Sequence, residues 1–225
     1  MVVKTPAEHR GGPIVGVILA GGRSQRMGGG DKCLRPLAGQ PILAHVIARL
    51  APQVSKLVIS ANDDPQRFAV FGLPVIGDAV ADHAGPLAGV HAGLEWTRRH
   101  HPEASAIATV AADSPLFPPD LVSRLAAKRD ADNAALAVAR SPDGLHPVFG
   151  LWSLTLEDSL LRALRDGERK MTDWVASQGG VAVDFPPFEI GGRLVDPFFN
   201  INRAEDLAEA ERLLEMEPRR PNSAP

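Results

Sequence analysis

Residues 19 to 32 read Leu-Ala-Gly-Gly-Arg-Ser-Gln-Arg-Met-Gly-Gly-Gly-Asp-Lys, with five glycines and the three cations Arg23, Arg26 and Lys32 among fourteen positions. Glycine permits positive φ and lets the backbone come close to a ligand. Successive amides in such a loop form a nest for an anion. With its cations, the segment has the composition of a triphosphate cradle. The plainer alternative is a flexible glycine turn with solvated charges. Spacing excludes two familiar cradles. A P-loop needs G-x-x-x-x-G-K-[ST], but Lys32 follows Asp31 and precedes Cys33. A dinucleotide fingerprint needs G-x-G-x-x-G opening a helix, and Gly28-Gly29-Gly30 runs instead into Asp31, Lys32 and Cys33.

A phosphate chemistry also needs something to hold negative groups together. Lys32 can meet phosphates as a point charge. Asp113 ends an apolar run, where an ionised carboxylate is costly unless paired or metal-bound. Its oxygens suit a hard divalent cation such as Mg2+. Capping a following helix is the competing role for it. The lone cysteine, Cys33, excludes an intrachain disulfide and a multi-cysteine metal site, and reads as a packed thiol. His45 reads as a packed or half-exposed histidine. His100 and His101 sit at a helix end, where they favour the dipole.

These residues need elements to place them. Ile14–Leu19, Lys56–Ser60, Leu73–Ile76 and Ala106–Ala111 are short apolar runs of the kind found in buried strands of a parallel sheet. Helical periodicity covers Pro41–Leu50, a stretch running to about Arg99, and one from about Pro119 to Lys128. A short helix fits Pro65–Phe71. Strands at Ala134–Ala139 and His146–Leu151 flank the turn Ser141-Pro142-Asp143-Gly144. Helices near Ser153–Arg165 and Met171–Gln178 and a strand at Val181–Asp184 follow. A last helix begins after Asn202 and runs to about Met216, with Asn202 and Glu205 spaced as a capping box. Strand, loop and helix repeat four times, which predicts an α/β fold with a doubly wound, mostly parallel sheet and helices on both faces. Ligands bind such sheets at the C-terminal ends of the strands. A single domain over residues 14–216 is expected, with a leader at 1–13 and a tail at 217–225.

The whole chain, 225 residues with 24 Lys+Arg, 27 Asp+Glu and 44% hydrophobic residues, is ordinary for a globular protein. Its slightly acidic balance argues against a nucleic-acid partner. No run approaches the ~18 apolar residues needed to cross a membrane, so a cytoplasmic protein is expected.

The segment Leu19-Ala-Gly-Gly-x3-Arg26-Met-Gly-Gly-x-Asp31-Lys32 resembles the nucleotide signature of the molybdenum cofactor guanylyltransferases. The likeness continues through Arg49-Leu50-x-Pro52-Gln53, Ile59-Ser-Ala-Asn62, Gly85-Pro-Leu-Ala-Gly89, Asp113-Ser-Pro115, His146-Pro-Val-Phe-Gly-Leu-Trp152 and Asp196-Pro-Phe-Phe-Asn-Ile-Asn202. It implies a nucleotidyltransferase that joins GMP from GTP to the terminal phosphate of molybdopterin and releases pyrophosphate. It implies GTP contacts from Leu19, Ala20, Gly21, Gly22, Lys32, Asp78 and Asp113, with Ser60 or Asn62 or neither at the next strand end. Asp78 reads almost as well as a turn or cap residue. Asp113 and Asn202 would hold Mg2+, although Asn202 is also a good helix cap. Lys32, Arg26 and Asp113 would carry catalysis, with Arg26 on the departing pyrophosphate; a solvated role suits Arg26 equally. His146, Arg169 and Lys170 are candidates for the second substrate, and a solvated pair is the alternative for the last two. The partners implied are GTP and the molybdopterin cofactor, with molybdoenzyme chaperones or cofactor-supplying proteins as further candidates. Two departures stand out: Ser60 where relatives often carry Asn, and Arg203-Ala204 where they carry Thr-Pro. The rival readings are a cytidylyltransferase acting on the pterin or on a sugar or polyol phosphate, and a non-catalytic carrier of nucleotide or cofactor. The presence of both Lys32 and Asp113 favours an enzyme over a carrier.

Overall fold

The computed structural model describes residues 12–21, 32–62, 64–77 and 85–216. Its first strand shows how the sheet is built. In β1 (Ile14–Leu19) Ile14 and Ile18 enter the core on one face, and Val15 and Val17 enter the core on the other. Successive side chains point to opposite faces, so only a strand covered on both sides can be apolar throughout.

After β1 come a small hairpin of β2 (Pro36–Leu37) and β3 (Gln40–Pro41), then α1 (Ile42–Leu50) and β4 (Lys56–Ser60). A 3-10 turn over Pro65–Phe71, capped by the Asp64 carboxylate on the Gln66 amide, replaces the expected short helix. It leads to β5 (Val75–Ile76). There follow α2 (Pro86–His100), β6 (Ala106–Ala111), α3 (Leu121–Ala131), β7 (Leu136–Ser141) and β8 (Gly144–Ser153). The chain continues through α4 (Glu157–Arg165), α5 (Met171–Ser177) and β9 (Val181–Asp184). It ends with a hairpin of β10 (Phe188–Ile190) and β11 (Arg193–Val195), and α6 (Ala204–Met216).

Seven strands join in the order β5-β4-β1-β6-β8-β7-β9. β8 alone runs against the rest, because the turn at Ser141–Gly144 makes β7 and β8 a hairpin. Helices α1 and α3 cover one face through Leu43, Val46, Leu50, Leu121 and Leu125. Helices α2, α4 and α5 cover the other through Leu87, Val90, Leu94, Leu160, Leu164 and Trp174. Each such side chain, fully buried, contributes ~1.5–3 kcal/mol. α2 lies very close to the sheet because Gly89 and Gly93 face it. A Cβ on Gly93 would stand 2.8 Å from Val17, and one on Gly89 would stand 2.9 Å from Leu19 and from the Ser60 hydroxyl.

β8 does not pair evenly with β7. Val138 pairs with Gly150, but the next residue, Ala139, pairs with His146, so Pro147, Val148 and Phe149 bulge from the ladder. Pro147 has no amide to lose there. The Thr109 hydroxyl donates to the Val148 carbonyl at 2.7 Å and accepts from the Trp152 indole at 2.8 Å. The bulge is thus secured from β6 and turns Phe149 toward Phe117 and Phe198, with ring centroids 6.0 and 4.7 Å apart.

Candidate active site

The C-terminal ends of β4, β1 and β6 meet at one edge. Ala20 donates its amide to the Ser60 carbonyl at 2.8 Å, and Ala112 donates to the Leu19 carbonyl at 3.1 Å. The chain at Leu19–Ala20 is therefore pinned between its neighbours just where the glycine loop departs. Of the two candidates at the end of β4, Ser60 is buried against α2 at Gly89, and Asn62 is the exposed one. Gly21 is exposed at the same edge. Gly22, Arg26 and Asp78, all expected site residues, lie outside the described residues.

Lys32 opens a single 3-10 turn, Lys32–Leu34, whose Cys33 is buried. This burial anchors the turn and aims the lysine back over the edge. Its ammonium donates to Asp113 Oδ2 at 2.7 Å, to Asn202 Oδ1 at 2.7 Å and to Asn200 Oδ1 at 3.2 Å. An ammonium has three N–H donors, so all three are used. The Lys32 side chain is 12% exposed and Asp113 26%. Burial of such a pair is costly unless it is thoroughly hydrogen-bonded, and here the two asparagines complete it.

Asp113 is not a helix cap. α3 begins only at Leu121, and the carboxylate turns to Lys32 instead. Its backbone carbonyl accepts from the Ile201 amide at 3.0 Å, which fastens the 200–202 segment beside it. The expected capping box at α6 is also corrected. Asp206, not Glu205, reaches back, and its Oδ2 accepts from the amides of Asn202 and Arg203 at 2.7 and 2.8 Å. That resolves the competition foreseen for Asn202, because its side-chain oxygen is left for Lys32.

Could these residues hold a divalent cation? The donor set around Lys32 Nζ is one carboxylate and two amide oxygens, all hard ligands. Among the described residues no three His, Cys, Asp or Glu side chains cluster as a metal cage. Mg2+ typically takes one or two carboxylates and completes its shell with water and substrate phosphates. The residues fit that habit.

His146 stands at the neighbouring end of β8. Its Nε2 is 2.7 Å from the Ser141 hydroxyl, and its ring lies 4.6 Å from that of Phe198. Burial pushes its pKa below the usual imidazole value, and the nearby carboxylates of Asp196 and Asp143 pull it partly back. Phe198 also packs against Phe149 and, edge-on, against Phe185 at 5.5 Å. The aromatic cluster thus reaches from His146 to a residue two positions before Asn200. Arg169 and Lys170 have local partners. Arg169 donates to the Leu164 carbonyl in the last turn of α4 and to the carbonyl of its neighbour Glu168, and Lys170 pairs with Asp173 at 2.9 Å.

Phe198 and the acceptor role of Asn200 are site features that the sequence reading lacks. The signal for Asn200 was its place beside Asn202 in the Asp196–Asn202 motif. Nothing in the sequence tied Phe198 to His146.

A doubly wound sheet with a cationic residue, a carboxylate and amide oxygens at one strand edge is the architecture of a nucleotidyltransferase. The comparisons agree: the chain belongs to the MobA-like NTP transferase domain family, whose profile matches residues 16–181. It is 50% identical over 207 residues to the molybdenum cofactor guanylyltransferase of Bradyrhizobium sp. (strain ORS 278), covering 92% of this chain and 95% of that one. Among solved structures it resembles molybdopterin-guanine dinucleotide biosynthesis protein A from Archaeoglobus fulgidus, with TM-score 0.67 and 23% identity over 90% of this chain and 99% of that one. It also resembles the manganese complex of Rv0371C from Mycobacterium tuberculosis H37Rv, with TM-score 0.62 and 19% identity over 89% and 98%. Among the described residues no helix is long and apolar enough to cross a membrane.

Proposed function

We propose that this chain transfers GMP from GTP to the terminal phosphate of molybdopterin. A phosphate oxygen of the pterin attacks the α-phosphorus of GTP, the bond from that phosphorus to the bridging oxygen breaks, and pyrophosphate leaves. The observation that carries the reading is the Lys32–Asp113 pair at the strand edge, within a chain half identical to a named guanylyltransferase.

Two anions must meet in this reaction, so the site must cancel repulsion and hold them in line. A bound Mg2+ would supply Lewis-acid stabilisation of charge on the phosphoryl oxygens. Asp113 and Asn202 are the residues to hold it, with Asn200 beside them. Lys32 supplies positive charge at the phosphates, and Arg26 is assigned to the departing pyrophosphate. Leu19, Ala20 and Gly21 present backbone to the nucleoside, with Asn62 the exposed polar side chain next to them. His146, on a neutral aromatic wall, is assigned to the pterin.

The test is incubation with molybdopterin cofactor, magnesium and either GTP or CTP, with the dinucleotide and pyrophosphate measured. A site that hydrogen-bonds a base edge can reject an analogue by ~10⁴-fold. Dinucleotide from GTP and little from CTP is expected. Equal use of both nucleotides would sink the guanylyl assignment.

A further inference from the structure

The three donors of the Lys32 ammonium are all engaged, and the atoms that engage them are the oxygens a divalent cation would need. With its three donors so engaged, Lys32 has none left for phosphate, and its charge stands among the Asp113 carboxylate and the two amide oxygens, where it repels a second cation. We propose that Lys32 occupies the metal's place in the nucleotide-free protein, and that it turns onto the phosphates only when metal and nucleotide arrive together. This rests on the nucleotidyl-transfer reading of the site.

The argument is electrostatic. A divalent ion arriving alone would meet an ammonium already bonded to Asp113 and both asparagines. It would have to push that charge out of a largely buried position with no anion to receive it. A triphosphate changes the balance, because it offers Lys32 new acceptors and releases Asp113 and Asn202. Metal and GTP then bind with positive coupling, and by linkage each raises the affinity for the other equally. Lys32 is in this sense an internal stand-in cation. It keeps the 200–202 segment, which is fastened to Asp113 by the Ile201 amide, in position before substrate arrives.

The experiment measures Mn2+ binding to the full chain by loss of the free-ion resonance signal, with no nucleotide and no turnover. Lys32→Met, which keeps the stem and removes the charge, is expected to bind Mn2+ at least ~10-fold more tightly than the unaltered protein, within the usual range of coupling. Adding Asp113→Asn to that variant should abolish the gain. Lys32→Met binding Mn2+ no more tightly than the unaltered protein would overturn the proposal. In a second arm, corrected for the Mn2+ that the nucleotide chelates in protein-free solution, a non-hydrolysable GTP analogue should tighten Mn2+ binding by a larger factor in the unaltered protein than in Lys32→Met. An equal factor in the two proteins would also overturn it. Neither result bears on whether GMP is transferred, which is read from the dinucleotide product. Absence of that product would remove the functional reading and leave the binding comparison standing.

Discussion

At the β1–β6 end of the sheet edge, position is set by charge: Lys32 reaches Asp113, Asn200 and Asn202 with every ammonium donor satisfied. At the β7–β8 end it is set by shape, since His146, Phe149, Phe185 and Phe198 pack ring on ring around a bulged strand. The 196–202 segment belongs to both, with Phe198 in the aromatic cluster and its two asparagines on the lysine. A buried charged network requires complete satisfaction and can rearrange when a competing ion or anion arrives. A packed aromatic cluster is rigid and has no such exchange available. The charged end is suited to a nucleotide and cation that come and go. The aromatic end is a buried support, with only His146 half-exposed, and is suited to keep the asparagines in register.

The comparison is tested most severely at Asp113. Asp113→Ala removes the carboxylate that holds Lys32 and that the proposed function assigns to a cation. Metal-ion stabilisation of a phosphoryl group is worth several kcal/mol, so turnover is expected to fall by ~10³-fold or more. GTP binding without metal should be kept or strengthened, since a negative charge near the phosphates is gone. Titration of GTP with and without magnesium, beside a turnover assay, checks both halves. Unchanged turnover with a lower melting point would mean that the residue is structural.

Lys32→Ala should cost ~10²–10³ in turnover, the scale of losing one preorganised stabiliser of transition-state charge. Because the lysine also ties down the 200–202 segment, a modest drop in melting point is expected with it. Full activity in a folded variant would mean the charged end does not contact phosphate.

Phe198→Ala addresses the other end. Phe198 is 4% exposed and touches three rings. Truncating such a residue typically costs ~3–5 kcal/mol, seen as a large fall in denaturation midpoint. The asparagines two and four residues on should lose register, and small misplacements in a site can cost ~10²-fold in rate. If the variant loses stability but each folded molecule turns over normally, the aromatic end does not position the charged one.

Much of this arrangement is legible in the sequence, and what is missing has a physical cause. Apolar runs such as Ile14–Leu19 and Ala106–Ala111 dictate buried strands, and right-handed crossovers then bring Lys32 and Asp113 to one edge without knowledge of any contact. Burial of Ser60 was not legible, because it depends on how closely α2 approaches through Gly89. The bulge of β8 was hidden too. The apolar run Pro147-Val148-Phe149 looks like ordinary strand, and the Thr109 hydroxyl that supports the bulge comes from another part of the chain. The sequence reading places the α6 cap one residue early, since Glu205 and Asp206 are both carboxylates in the first turn and only the chain's entry angle selects between them.

The smallest expected effect is a pH dependence confined to the aromatic end. Burial favours the neutral His146 imidazole, and the net shift is downward despite Asp196 and Asp143. The neutral ring can accept the Ser141 hydroxyl proton at Nε2, 2.7 Å away, whereas a protonated ring cannot. The unfolded chain, with an ordinary imidazole of pKa ~6.5, therefore binds more protons than the folded one between the lowered value and ~6.5. Stability then rises with pH through that window, so the contribution is complete above ~6.5 and is lost as pH falls through the folded value. His146→Gln has no proton to gain and should flatten this part of the profile. Melting points of the two proteins between pH ~5 and ~8 should converge toward the acid side and separate above the window, with the unaltered protein the more stable there. Parallel curves would show that His146 does not gain its proton differently on folding, and would remove the neutral ring from the account of the aromatic wall.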